Sequence, residues 1–220
     1  RYGPAFGLGM GMAGLAAPAL PGLWPGAGMA MGMGPGGGAQ YPNMARDLYE
    51  TEPVFAEWMD RGLDILATLT TEDIRALWLP ASGQEAAAAE RLRRPSLQLP
   101  LILIVEIALA RLWESWGVKP AALIGHSMGE NAAACIAGVM TLEGVIGLVH
   151  LRGRLFDTVP AGGMLSVPLS EAALRPYLGD LDIASVNAPE LTVVSGSDAG
   201  LKGLAERVAA DGIDTTLIAF

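Results

Sequence analysis

One stretch, Gly125-His126-Ser127-Met128-Gly129-Glu130, constrains the fold of this 220-residue chain more than any other. It follows the apolar run Ala121-Ala122-Leu123-Ile124 and opens onto Asn131-Ala132-Ala133-Ala134-Cys135-Ile136-Ala137, so it reads as strand, sharp turn and helix. A turn this tight needs glycines two before and two after the serine, because side chains there have no room. Ser127 then stands at the carboxyl end of the strand, beside the amides and the positive dipole end of the helix. That is where a nucleophile with an oxyanion site is built.

Bulk properties narrow the function. The net charge is −9, which argues against a nucleic-acid partner, since phosphate binding needs a basic field. The basic cluster Arg91, Arg93 and Arg94 reads as a solvated face that could meet an acidic carrier protein. A single cysteine, Cys135, rules out a disulfide framework and fits a reducing cytoplasm; in the helix after the turn it reads as a small buried thiol. With two histidines and one cysteine no metal site is expected. The apolar run Leu97 to Ala110 is too short to span a bilayer and holds Glu106, so no membrane partner is expected either.

Three segments follow from composition. Residues 1–34 are a Gly/Ala/Met-rich tract with no charge after Arg1, read as a linker or disordered segment. Residues 35–160 hold the elbow. They open on Pro35-Gly36-Gly37-Gly38-Ala39-Gln40, which lacks the Lys-Ser/Thr ending of a phosphate loop. Helical spacing marks Asp47 to Thr70, Gln98 to Trp116 and the stretch from Thr141 to Arg154. Residues 161–220 alternate as strand, helix, strand, strand, helix, strand: Met164–Val167, Ser170–Tyr177, Asp182–Val186, Leu191–Ser195, Ala199–Ala210 and Ile213–Ala219. That βαββαβ order is the ferredoxin-like split unit.

The hexapeptide Gly-His-Ser-Met-Gly-Glu resembles the GHSxGE signature of malonyl-CoA:acyl-carrier-protein transacylases. That family includes the acyltransferase domains of modular type I polyketide synthases and of fatty acid synthases. The resemblance covers residues 35–220 and implies an α/β fold, with an incomplete hydrolase-like parallel-sheet core and the ferredoxin-like small subdomain. It implies Ser127 as the catalytic nucleophile, and backbone amides of Gln40 and Met128 as the oxyanion hole. Arg152, in Leu151-Arg152-Gly153-Arg154, is implied as the fork that binds the free carboxylate of a malonyl group. Asn187, in Asn187-Ala188-Pro189, and Gln98 are implied as candidate cleft residues, although a turn asparagine is the plainer reading of Asn187.

The resemblance further implies transfer of a malonyl or 2-alkylmalonyl extender, such as methylmalonyl, in polyketide or fatty acid biosynthesis. No cofactor would be bound directly: the donor is a coenzyme A thioester and the acceptor is phosphopantetheine on an acyl carrier protein. The ketosynthase or other domains of the same megasynthase are the expected partners.

A serine hydroxyl needs a base. His126 adjoins Ser127 and is given a packing role, and His150 reads as a surface or cleft-edge residue. In the family the catalytic histidine follows the last strand of the small subdomain, read here as Ile213 to Phe220. The expectation is therefore a domain truncated just before its base and impaired in acylation. Two other readings stay open: a serine hydrolase of the α/β-hydrolase type, and a non-catalytic structural or docking fragment of a megasynthase.

Overall fold

A computed structural model describes residues 29–33, 40–160 and 162–218. The chain divides between Thr158 and Val159 into two compact units.

In the first unit, strand β1 (Met29–Met33) runs parallel to β2 (Pro120–Gly125), with Met33 opposite Gly125. This corrects the expected linker over residues 1–34. Alternating Met and Gly favour a strand poorly, and the ladder to β2, distant in sequence, sets the conformation instead. The rest of that expected linker, and the Gly-rich turn before Gln40, lie outside the described residues.

Helices α1 (Arg46–Thr51) and α2 (Pro53–Ala67) occupy the stretch with helical spacing, divided where Pro53 begins a new helix. Then come α3 (Ile74–Trp78), α4 (Glu85–Arg91) and α5 (Pro95–Ser115). After β2 follow α6 (Met128–Ile136) and α7 (Leu142–Phe156). The Thr141 hydroxyl caps α7 by accepting the Gly144 amide at 3.0 Å.

Helix α5 is the centre of this unit. Every residue from Ser96 to Ala110 is buried, as expected of a helix that is apolar all round, and α2, α6 and α7 pack on it. It is long and apolar enough to cross a membrane, yet almost all of it is covered by protein. It begins at Pro95, three residues earlier than the sequence suggests, and so carries Pro100 in its interior. Proline has no N–H, so the Ser96 carbonyl four residues back loses its helical donor. Beside it, Gly153 of α7 lies so close that a Cβ there would stand 2.5 Å from Pro95 O and 2.6 Å from Ser96 Cα. Only glycine lets α7 cross α5 at this point.

The second unit is a four-stranded antiparallel sheet of β3 (Gly163–Val167), β4 (Asp182–Ala188), β5 (Leu191–Gly196) and β6 (Thr216–Ile218), ordered β4-β5-β3-β6. Helix α8 (Glu171–Leu174) and helix α9 (Asp198–Ala209) complete the βαββαβ sequence. Their caps are the hydroxyls of Ser170 and Ser197, each accepting an amide three residues on. Leu165, Val167, Leu174, Val194, Leu201, Leu204 and Val208 form its core. Strand β6 begins later than the expected Ile213, because the Ile213 amide bonds back to Val208 O at 3.1 Å and closes α9 around Gly212, at φ 76°.

Candidate active site

The elbow forms as its residues dictate. Ser127 has φ 54° and ψ −113°, a conformation that costs a non-glycine residue on the order of 1–3 kcal/mol. A Cβ at Gly125 would overlap the Gly129 carbonyl and the Glu130 amide, which is why glycine stands two before the serine. The turn is closed by the Gly129 amide donating to His126 O at 3.0 Å and the Glu130 amide to Ser127 O at 3.2 Å. Ser127 is exposed, whereas Met128 and Gly129 are buried. As the first residue of α6, Met128 presents an N–H that has no helical acceptor.

His126 is exposed, which corrects its expected packing role; its contribution is the carbonyl that closes the turn. His150 is also not at the surface. It is 7% exposed, with Nδ1 3.3 Å from Ser96 O, the carbonyl that Pro100 orphans. The carbonyl can only accept, so Nδ1 carries the proton in that bond. The signal was Pro100, whose place inside a helix leaves a buried acceptor in need of a donor.

Gln40 and Gln98 come together. The Gln98 side chain, 1% exposed, donates Nε2–H to Gln40 Oε1 at 2.6 Å. The segment after Gln40 is held again by Trp78: the Asn43 amide donates to Trp78 O at 2.6 Å, and Trp78 Nε1 donates to Met44 O at 2.7 Å. Sequence reasoning missed this clasp, since nothing local pairs residues more than thirty apart.

Arg152, on α7 next to the Gly153 crossing, is exposed and forms no ion pair among the described residues. Its guanidinium lies over the Phe156 ring, 5.5 Å from the centroid. Such stacking uses the face of the guanidinium and leaves its N–H edge available to a carboxylate.

Asn187 lies on the second unit, exposed within β4 at a register break between Val186 and Ala188, so it is a bulge residue and not the expected turn residue. Burial pushes the Cys135 thiol pKa up, which makes it a poor nucleophile.

The basic cluster Arg91, Arg93 and Arg94 lies on an exposed face, as expected. Arg91 pairs with Glu72, Arg94 with Glu72 at 3.4 Å and Asp157 at 3.8 Å, and Arg93 with Glu90 at 3.4 Å. These charges are matched within the chain, so the cluster offers no unopposed basic patch.

The class is thus an α/β protein whose strand-to-helix turn holds a strained, exposed serine. The family model described as "Acyl transferase domain" matches residues 33–219. The chain belongs to that acyltransferase family, of the type found in polyketide synthases. Polyketide synthase GfsB of Streptomyces halstedii is 39% identical over 190 residues, 84% of this chain and 3% of that synthase. The acyl transferase domain of ZmaA superposes with a TM-score of 0.77 at 36% identity, over 83% of this chain and 44% of that one. The complex of a type II polyketide synthase acyl-carrier protein with its malonyl-transacylase, PlMCAT:AntF, gives 0.73 at 26% identity, over 87% of this chain and 62% of the matched one. The chain therefore spans a small part of the synthases it resembles and less than half of the ZmaA domain.

Proposed function

We propose that this chain moves a malonyl or 2-alkylmalonyl group from coenzyme A to the phosphopantetheine thiol of an acyl carrier protein through an ester on Ser127. The observation that carries the reading is Ser127 itself, exposed and held at φ 54° between Gly125 and the first amide of α6. Its Oγ bonds to the thioester carbonyl carbon as its proton passes to a base. The oxyanion is received by the N–H groups of Met128 and Gln40, the C–S bond breaks, and coenzyme A leaves as a thiol on taking up a proton. The carrier thiol then attacks the ester in the reverse sequence. Arg152 holds the distal carboxylate, its fork unopposed by any described acidic partner.

Neither histidine is assigned as the base: His126 shares the elbow turn, and His150 is committed to Ser96. A carrier-protein partner and neighbouring synthase domains are proposed on the likeness to polyketide synthases and to a transacylase complexed with its carrier. So is a larger hydrolase-like parallel sheet around β1 and β2.

Intact-protein mass after incubation with malonyl-CoA and methylmalonyl-CoA tests the reading, on this chain and on Ser127→Ala. The expected result is an adduct on this chain that is absent from Ser127→Ala. No adduct with either donor sinks it.

A further inference from the structure

Gln98 sits eight-tenths of a helical turn into α5, sequestered from solvent at 1% exposure, and its amide is aimed at one polar atom, Gln40 Oε1 at 2.6 Å. A buried amide with so short a bond is committed to it, because breaking it would strip the Gln98 Nε2–H, sealed from solvent, of this acceptor. On its other side the Gln40 segment is tied to Trp78 through Asn43 and Met44. The Gln40 side chain is thus held by the core helix α5, and the chain three and four residues on is held by Trp78 at the end of α3. We infer that Gln98 is a positioning residue: it holds the Gln40 main chain so that the Gln40 amide is pre-aimed, and it does not itself contact the acyl group. The inference deepens the proposed transfer reaction and rests on it. It also accounts for a glutamine among the apolar residues of α5, where leucine would pack with no polar group to satisfy.

A donor that is not held still loses much of its value to a transition state, and a displacement near 1 Å costs on the order of 100-fold. Gln98→Leu and Gln40→Leu should each lower the maximal rate of Ser127 acylation by malonyl-CoA about 10- to 100-fold, with the half-saturating concentration changed less than about two-fold. The double variant should be no slower than the slower single one, because both remove the same bond. Gln40 is partly exposed, so Gln40→Leu tests the bond without disturbing the core. Additive losses, an unchanged rate, or a rise in half-saturation at constant maximal rate would overturn the inference. Hydrogen exchange at the Gln40 amide, followed by NMR, reads it without turnover: Gln98→Leu should speed that exchange at least about ten-fold. Equal exchange in the two proteins rejects the inference whether or not the wild type is acylated. A wild type that forms no adduct, with exchange still faster in the variant, rejects the transfer reaction and leaves the clasp standing.

Discussion

His150 Nδ1 stands 3.3 Å from the carbonyl oxygen of Ser96, the acceptor that Pro100 strips of its helical donor. The histidine stands in for the missing N–H of α5 and joins the buried face of α7 to it there. Removing it as His150→Leu should cost about 1–3 kcal/mol, the usual penalty for a buried carbonyl left unpaired. In a Pro100→Ala background the new alanine N–H can reach Ser96 O, so the same His150→Leu change should cost clearly less. Urea denaturation of the four proteins measures this. Equal costs in both backgrounds would mean that His150 acts through packing alone.

Strain at the elbow separates chemistry from stability. Ser127→Gly relieves the backbone at φ 54° and should raise stability by about 1 kcal/mol or more, whereas Ser127→Ala keeps the strain and should change it little. Both should abolish the malonyl adduct. Thermal unfolding that shows no difference between the two variants would remove the strain from the account.

Glu106 gives a pH signature. It is 8% exposed on α5, neither carboxylate oxygen has a hydrogen-bond partner among the described residues, and burial pushes its pKa from 4.5 up to about 8. The native state therefore holds a proton that the unfolded chain has released, and stability falls as pH rises between those two values. The loss across that window is on the order of a few kcal/mol. Glu106→Gln cannot ionise, so its advantage over wild type should widen from pH about 5 to pH about 8.5 in urea titrations. A constant difference between the two proteins across that range would show that Glu106 is not the group responsible.

The elbow could be read from the sequence because everything it needs is local. Gly125, Ser127 and Gly129 lie within five residues, and a backbone overlap enforces the spacing. The helix starts at Thr141 and Ser170 were legible for the same reason, each cap reaching only three residues. The small sheet followed from alternation together with those caps. What could not be read was pairing across the chain. Met29–Met33 becomes a strand only because β2 lies beside it, ninety residues on. Glu72 and Asp157, distant in sequence, pair with Arg91 and Arg94 of the arginine cluster. Gln98 and Gln40 are 58 residues apart, and neither carries a local pattern that names the other.

Arg152 offers a test of donor recognition. If its fork binds the distal carboxylate of the acyl group, the residue should matter only for donors that have one. A hydrogen-bonded ion of this kind is worth about 1.5–3 kcal/mol, so Arg152→Ala should slow acylation by malonyl-CoA about 10- to 150-fold. Acetyl-CoA has no second carboxylate, and its acylation rate should not fall. Arg152→Lys keeps the charge but loses the planar fork and should lie between the two. Phe156→Leu removes the ring under the guanidinium, 5.5 Å from its centroid, and should chiefly raise the malonyl-CoA concentration needed for half-saturation. Quenched-flow mass measurements with both donors decide it. A parallel fall with acetyl-CoA would show that Arg152 supports α7 or the elbow and does not read the substrate.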